Sequence, residues 1–249
     1  MKPIASLIAL FVFTGNLHAQ SAVAVENNAL VPVGKLENDF YDWNKRHAEI
    51  LSIKDGINPE IVMIGDSITH FWAGPPNEPK GNKGSESWKD LFGEKRVLNL
   101  GFGWDRTQNV LYRIQQGELD GLTPKTIVIH IGTNNLATSK NAPTNTPEQI
   151  PEAIQAIVEK AHEKCPKASI ILMAVFPRGQ NSTDPKRAQI SEINKRISKI
   201  SKPYLSHVDL TDKFLSPDGT ISREVMGDYL HPSAKGYQIW ADALKPLVK

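Results

Sequence analysis

Residues 61–69 carry the sequence IVMIGDSIT, in which four apolar residues are followed by a glycine and then by polar side chains. An unbroken apolar run that ends at a glycine is typical of a β-strand buried on both faces, as in parallel sheets. The runs IVIHI at 127–131 and IILMAVF at 170–176 have the same character, and shorter runs lie at 96–100 and 204–210. The sequence therefore predicts about five buried strands.

Segments with apolar residues at helical spacing lie between these strands. They cover residues 35–54, 87–92, 105–116, a helix that opens with the capping box Thr146-Pro147-Glu148-Gln149, residues 185–200 and a last stretch from Ser233. Strands that alternate with helices imply right-handed crossovers and a parallel sheet. The prediction is an α/β protein, a three-layer α/β/α sandwich on a parallel sheet of about five strands.

The charge and the cysteine content exclude several classes of protein. The 249 residues include 29 Lys plus Arg and 27 Asp plus Glu, which gives a formal net charge of +2. Nucleic-acid binding usually requires a basic patch, so we expect no nucleic-acid partner. The sequence has one cysteine, Cys165. This excludes an intrachain disulfide and a cysteine-based zinc or iron–sulfur centre.

The first 19 residues have the features of a secretory signal peptide. Lys2 gives a positive start, residues 4–13 are almost wholly apolar, and Ala19 offers a small residue before cleavage at Gln20. The apolar run is far shorter than the roughly 20 residues that a membrane span needs, so we expect no stable membrane anchor. The mature protein is predicted to be secreted or periplasmic.

The rest of the chain shows neither an internal repeat nor an interdomain linker. Residues 20–34 are small and polar without a clear period, which predicts a flexible lead-in. Residues 35–249 are predicted to form a single domain, because a chain of this length suits one large domain.

Polar side chains cluster at the predicted carboxyl ends of the strands, where parallel sheets place their ligand sites. The clusters are Gly65–Thr69, Asn99–Asp105, Gly132–Asn135 and, in the loop before the last helix, Asp228–Ser233. Each cluster alone is typical of a turn or a helix cap. Together they occur where a site is expected and supply complementary groups, which favours a functional site.

These groups fit acyl transfer by a serine nucleophile. The hydroxyl of Ser67 needs a general base within hydrogen-bond reach, and His231 can be that base. Asp228 can accept the other ring N–H of the histidine and stabilise the imidazolium. A developing oxyanion needs hydrogen-bond donors. The candidate donors are the N–H of Ser67, a backbone N–H after the second strand and the side-chain amide of Asn134.

Four further residues are candidates for substrate contact. Asp66 is also expected to organise the turn that carries the nucleophile. Arg178, after the fourth strand, is a candidate for positioning substrate, with a surface loop residue as the alternative. Phe102 can line a pocket, although most aromatic residues only pack. The polar side chain of Asn135 suits contact with a sugar leaving group.

Gly65-Asp66-Ser67, the turn 101–105, Gly132-Thr133-Asn134 and Asp228-x-x-His231 resemble, in order and spacing, the four blocks of the SGNH (GDSL-like) hydrolase family. Within it the chain is most similar to the catalytic subunits of platelet-activating-factor acetylhydrolase Ib and their secreted bacterial relatives. The resemblance implies a flavodoxin-like fold and a serine esterase that uses no metal and no cofactor. By position it implies Ser67 as nucleophile, His231 as base, Asp228 as its partner and Asn134 as an oxyanion donor. A homodimer is also implied as one oligomeric state, since relatives can be dimeric.

The second block departs from the family pattern. The family usually has glycine just before the aspartate of this block, and the N–H of that glycine is an oxyanion donor. Here Trp104 occupies the position, and Gly103 precedes it. A backbone N–H survives the exchange, so we assign the donor to Trp104, with Gly103 as the alternative. The indole of Trp104 can form a wall of the acyl pocket or stack on a sugar.

These observations predict a secreted serine esterase that acts on small acyl esters, acetyl esters above all. Acetylated glycans are natural acetyl carriers for a secreted enzyme, which favours a carbohydrate O-acetylesterase. One alternative is a lipid esterase of the lysophospholipase or phospholipid acetylhydrolase type. An alternative of another class is a catalytically inactive glycan-binding protein. The expected partner is therefore a small-molecule or glycan ester.

Overall fold

The computed structural model describes residues 26–78 and 81–248, which form one parallel sheet between two layers of helices. The strands are β1 (Ile61–Gly65), β2 (Val97–Gly101), β3 (Thr126–His130), β4 (Ser169–Met173) and β5 (Leu205–Val208). Their order in the sheet is β2-β1-β3-β4-β5, and every pair is parallel. This order is that of flavodoxin-like sheets, so the predicted fold class is confirmed.

The helices follow the strands in the alternation that the sequence predicts. They are α1 (Trp43–Ile57), α2 (Ser67–His70), α3 (Ser85–Phe92), α4 (Thr107–Gln115), α5 (Gln149–Lys164), α6 (Pro185–Ile197), α7 (Thr211–Phe214) and α8 (Ala234–Leu244). Short 3₁₀ turns lie at Asn28–Leu30 and Thr133–Leu136. Within the described ranges, every helix falls short of the length and apolar character that a membrane crossing requires.

Alternate residues of each strand face opposite layers, which produces two separate hydrophobic cores. Val62 and Ile64 pack with α1, α4, α5 and α6. Ile61 and Met63 pack with α2, α3 and α8, where the rings of Trp72 and Trp240 stack at 4.4 Å. Strands β1, β2 and β3 are therefore buried on both faces, as their apolar runs predict, whereas the edge strand β5 exposes Ser206 and His207 and differs from the prediction of a buried strand.

The N-terminal part of the domain differs from the prediction. α1 begins at Trp43 and not at residue 35, because the Asp42 carboxylate accepts the N–H groups of Asn44 and Lys45 and caps the helix there. The predicted flexible lead-in also needs correction over residues 27–31. Ala29 is buried, and the Asn27 amide donates to the carbonyl of Gln149 at 3.0 Å. The predicted signal peptide, 1–19, and residues 20–25 lie outside the described residues.

Three adjacent strands, β2, β1 and β3, bring the predicted site turns together. Gly65 at the end of β1 is in register with Gly101 of β2 on one side and His130 of β3 on the other. The turns that follow these strands carry residues 66–67, 102–105 and 132–134, so they begin side by side at one edge of the sheet.

Candidate active site

Ser67 is the first residue of α2, directly after β1. The Asp66 carboxylate caps this short helix by accepting the N–H of Ile68 at 2.9 Å. A Cβ at Gly65 would lie 2.5 Å from the His130 carbonyl, so only glycine fits where the strand turns into the helix. The sequence thus fixes a tight strand-to-helix turn that presents the serine hydroxyl at the sheet edge.

The structure brings Ser67, His231 and Asp228 into one hydrogen-bonded chain. His231 Nε2 lies 3.0 Å from Ser67 Oγ, and Nδ1 lies 2.7 Å from Asp228 Oδ2. The other carboxylate oxygen accepts the N–H groups of Leu230 and His231 at 3.1 and 2.7 Å. Since Nδ1 faces a carboxylate, it carries the ring proton and leaves Nε2 free to accept the serine proton.

Burial and hydrogen bonding set the protonation states of His231 and Asp228. Burial lowers the pKa of His231 below its ordinary 6.5, although the hydrogen bond and the charge of Asp228 act to raise it. Burial alone would raise the pKa of Asp228, but the hydrogen bonds from His231 and Leu230 lower it to about 2. At neutral pH the pair is therefore a neutral imidazole beside an ionised carboxylate, as a general base and its orienting group require.

The lowered pKa of His231 makes a prediction for the pH dependence of the rate. If His231 is the general base, kcat/KM falls as the pH drops through its pKa, because a base must be unprotonated. The acidic limb of kcat/KM for p-nitrophenyl acetate should therefore have its midpoint below pH 6.5. Circular dichroism at each pH provides the control that the protein stays folded. A midpoint at or above 6.5 would show that attraction by Asp228 outweighs burial.

Three candidate oxyanion donors belong to Ser67, Trp104 and Asn134, which line the same cavity. Asn134 Nδ2 donates one N–H to the carbonyl of Asp105 at 3.0 Å, which orients the amide. Within the described part of the chain, the backbone N–H groups of Ser67 and Trp104 have no protein acceptor. The N–H of Gly103 donates to His70 Nδ1 at 3.2 Å. The geometry therefore favours Trp104 over Gly103.

Trp104 adopts the left-handed conformation, with φ of 65°. An aromatic residue is rare there, because its Cβ crowds the backbone. The two residues beside Trp104 in sequence, Gly103 and Asp105, hold the turn in place. The Gly103 carbonyl accepts from the Tyr41 hydroxyl at 3.1 Å, and the Asp105 carboxylate accepts from Trp43 Nε1 and Arg113 Nε at 2.7 and 2.8 Å. The glycine of the family pattern would adopt this conformation without strain.

A cavity of about 140 Å³ opens at the serine. Its lining residues are Asp39, Ser67, Phe71, Trp104, Asn134, Ala137, Arg178, Leu230 and His231. A larger cleft of about 560 Å³ lies along α6 and α7, and its lining includes none of the predicted site residues. The hydrogen-bonded chain and the candidate donors identify the smaller cavity as the candidate site.

Of the four predicted substrate contacts, one lines the cavity and three do not. Arg178 lines it and donates to Thr133 Oγ1 at 3.2 Å. Asp66 is buried as the cap of α2, and burial raises its pKa to about 7. Phe102 is buried between Arg113 and Trp43. These two placements correct the sequence-based prediction.

Asn135 requires the same correction. Its amide is buried, and its oxygen accepts the N–H of Thr107 at 3.0 Å. Its nitrogen donates to Thr107 Oγ1, Gln108 Oε1 and Asn145 Oδ1. The side chain therefore holds the start of α4 and faces away from substrate. Conversely, Asp39 also lines the cavity, although the sequence places it in the segment 35–54 with helical spacing and away from the polar clusters that follow the strands.

The described residues contain no group of three or more His, Cys, Asp or Glu side chains placed to hold a metal ion. The chemistry that the site offers is nucleophilic attack by a serine with an adjacent base and nearby hydrogen-bond donors.

Known proteins share this sequence and this architecture. Residues 63–239 match the sequence model of the GDSL-like lipase/acylhydrolase family. Human platelet-activating factor acetylhydrolase IB subunit alpha1 is 34% identical over 219 residues, which cover 87% of each chain. The bovine subunit alpha2 is 34% identical over 209 residues, covering 82% of this chain and 81% of its own.

Solved structures support the fold at lower sequence identity. The acetyl xylan esterase AlAXEase superposes with a TM-score of 0.61 at 17% identity, covering 76% of this chain and 99% of its own. The acetylxylan esterase Axe2 of Geobacillus stearothermophilus gives 0.55 at 22% identity, covering 74% and 91%. The match to the family over most of the chain, together with the acetylhydrolase relatives, shows that the chain belongs to the GDSL-like lipase/acylhydrolase family and is a carboxylic-ester hydrolase.

Proposed function

We propose that this enzyme hydrolyses small acyl esters, acetyl esters above all, with Ser67 as the nucleophile. His231 is the general base, and Asp228 orients it. The observation that carries the proposal is the chain of hydrogen bonds from Ser67 Oγ through the imidazole to the Asp228 carboxylate. This chain opens onto a small cavity that also receives Asn134.

The reaction follows from these positions. Ser67 Oγ attacks the ester carbonyl carbon while its proton moves to His231 Nε2. The oxyanion receives hydrogen bonds from the N–H groups of Ser67 and Trp104 and from the Asn134 amide. The C–O bond to the alcohol then breaks, and Nε2 returns the proton to the leaving oxygen. A water molecule, deprotonated by the same nitrogen, attacks the acyl-serine, and the carboxylic acid and free serine are released.

The size of the cavity supports a short acyl group. Its volume of about 140 Å³ lies below the roughly 300–1,000 Å³ of typical small-molecule pockets. At about 30 Å³ per water-sized group, it holds about five such groups. An acetyl group and the ester oxygen fit within that volume, whereas a long fatty acyl chain does not.

We propose acetylated carbohydrate as the substrate class. The cavity mouth combines polar side chains with an exposed aromatic ring, and two proteins of similar fold are named acetylxylan esterases. The relatives named platelet-activating factor acetylhydrolase favour a lipid acetyl ester as the second candidate. Both candidates share the acetyl group and differ in the alcohol.

Covalent labelling and an acyl-length series test this proposal. A fluorophosphonate should label the wild type and the surface variant Ser198→Ala, but not Ser67→Ala. Hydrolysis of p-nitrophenyl esters from acetate to palmitate should be fastest with acetate and should disappear in Ser67→Ala. A rate that peaks with long chains would contradict the small acyl pocket. Labelling that survives in Ser67→Ala would contradict the nucleophile.

We further propose that the enzyme acts outside the cytoplasm. Lys2, the apolar run 4–13 and the small Ala19 support cleavage of a signal peptide. Mass spectrometry of the protein from the periplasm or the medium should give a chain that begins at Gln20. A chain that retains Met1 and stays in the cytoplasm would contradict this.

The homodimer that the family resemblance implies stays a prediction.

A further inference from the structure

Residues 35–42 cross the catalytic turn 102–105, and we call them the strap. Glu37 accepts from Ser139 Oγ and from Asn141 Nδ2. At the other end of the strap, the Tyr41 hydroxyl donates to the Gly103 carbonyl. The strap is therefore tied at both ends, and the residue between these ties, Asp39, has a defined position.

Asp39 is half-buried and lines the same cavity as Ser67 and Trp104. Its Oδ1 accepts the N–H of Phe40 at 2.8 Å, while Oδ2 lies so close to Gly103 that a Cβ there would collide with it. One carboxylate oxygen is thus held by the backbone, and the other lies at the wall of the cavity. The residue lies outside the stretch 63–239 that matches the family.

Trp104 contributes an aromatic surface to the same cavity. The residue is 44% exposed although its backbone is left-handed. Because nearly half of Trp104 is exposed, packing of its ring offsets little of the backbone strain. Strain of this kind clusters at functional sites, where the surroundings hold it in place.

We propose that Trp104 and Asp39 form the subsite for the alcohol part of the ester, and that this alcohol is a pyranose; the inference rests on the proposed esterase function. The apolar C–H face of the sugar lies on the indole, and its hydroxyls donate to the Asp39 carboxylate. An aromatic face provides apolar contact with defined geometry, and a carboxylate is a strong acceptor for O–H donors.

A quaternary ammonium headgroup, which also binds aromatic rings, fits the site less well. Such a cation is usually enclosed by several ring faces. The ring of Phe71 already carries Lys83 Nζ at 4.8 Å from its centroid, and Arg178 adds a second positive charge at the cavity. Trp104 thus offers one exposed ring face, which suits packing against the face of a sugar ring.

The experiment compares esters that share the acetyl group and differ in the alcohol. For each variant, kcat/KM is measured for an acetylated methyl xyloside and for methyl acetate, and their ratio is taken. We expect Trp104→Gly and Asp39→Ala each to lower this ratio about tenfold, mainly through the KM of the xyloside. Asp39→Asn keeps an acceptor oxygen and should restore part of the ratio. The surface variant Asp90→Ala should leave it unchanged.

Two outcomes would overturn the subsite. If Trp104→Gly leaves the alcohol ratio unchanged and raises kcat/KM for methyl butyrate relative to methyl acetate, the indole is a wall of the acyl pocket. If it selectively weakens hydrolysis of an acetylated ether phosphocholine, the subsite binds a lipid headgroup. Glycine accepts φ of 65°, so the Trp104→Gly protein should melt no lower than the wild type. Failure of the esterase proposal itself is distinct, because methyl acetate hydrolysis would then persist in Ser67→Ala.

Discussion

Replacement of His231 by alanine is expected to lower kcat for p-nitrophenyl acetate by about 10⁶-fold. In the proposed mechanism Ser67 then loses its proton acceptor, and the serine hydroxyl is a weak nucleophile without one. In serine hydrolases that use such a chain, loss of the histidine alone costs about as much as loss of all three residues. Asp228→Ala leaves a base that is misoriented and should cost about 10⁴-fold.

His207→Ala provides the matched control for this prediction. His207 is exposed on β5, and its Nε2 contacts the carbonyl of Ile200 at 2.7 Å. Its loss should leave kcat unchanged. If His231→Ala kept kcat within tenfold of the wild type, another base would have to act. His70 is a poor substitute, because it is buried with Nδ1 accepting from Gly103, and burial lowers its pKa to about 2.

Replacement of Arg113 by alanine is expected to reduce the free energy of unfolding by about 3–5 kcal/mol. The guanidinium is fully buried on α4, and it pairs with Asp105 at 2.8 Å and also with Glu118. It lies over the ring of Phe102 with its carbon 4.0 Å from the ring centroid. Without it, two buried carboxylates lose their shared cation. The loss is a large part of the roughly 5–15 kcal/mol that holds a domain folded.

Arg196 is the matched control, because it also contacts two carboxylates but lies on the surface. It pairs with Glu192 at 2.7 Å and with Glu148 at 3.1 Å, and its side chain is 41% exposed. Surface pairs contribute about 0–1 kcal/mol, so Arg196→Ala should lose no more than that. Urea unfolding followed by tryptophan fluorescence gives both values. Equal losses in the two variants would contradict the structural role of the buried network.

The sequence was sufficient to predict the sheet and the position of the central site residues. Parallel strands with right-handed crossovers place their carboxyl ends at one edge. Polar residues that follow such strands therefore meet, even when they are distant in sequence. Ser67 and Asn134 line the same cavity for this reason, and the loop before α8 adds His231. The predicted capping box before α5 also forms, since Thr146 and Gln149 exchange hydrogen bonds, although the helix begins only at Gln149.

Side-chain direction at the turns was not predictable. Asn134 and Asn135 are adjacent and chemically identical, yet the 3₁₀ turn at Thr133–Leu136 sends the first into the cavity and the second into the interior. The strap shows a second limit. Leu36 and Phe40 have helical spacing, but Asp42 caps the helix later and leaves them in an irregular crossing with bends. What fixes that crossing is contact with the turn after β2, which lies far away in sequence.

The loop that carries both Asp228 and His231 has a consequence for the protein during its synthesis. The base lies 164 residues after Ser67 in the chain, and at about 5–20 residues per second the ribosome needs roughly 8–33 s to cover that distance. In the proposed mechanism, the nucleophile Ser67 and the oxyanion donor Asn134 are thus made well before the base. Tyr237, on the helix that follows the loop, donates its hydroxyl to the Ile68 carbonyl beside the nucleophile. We therefore expect docking of this helix to bring the imidazole to the serine, and the nascent chain to hydrolyse no esters before that step.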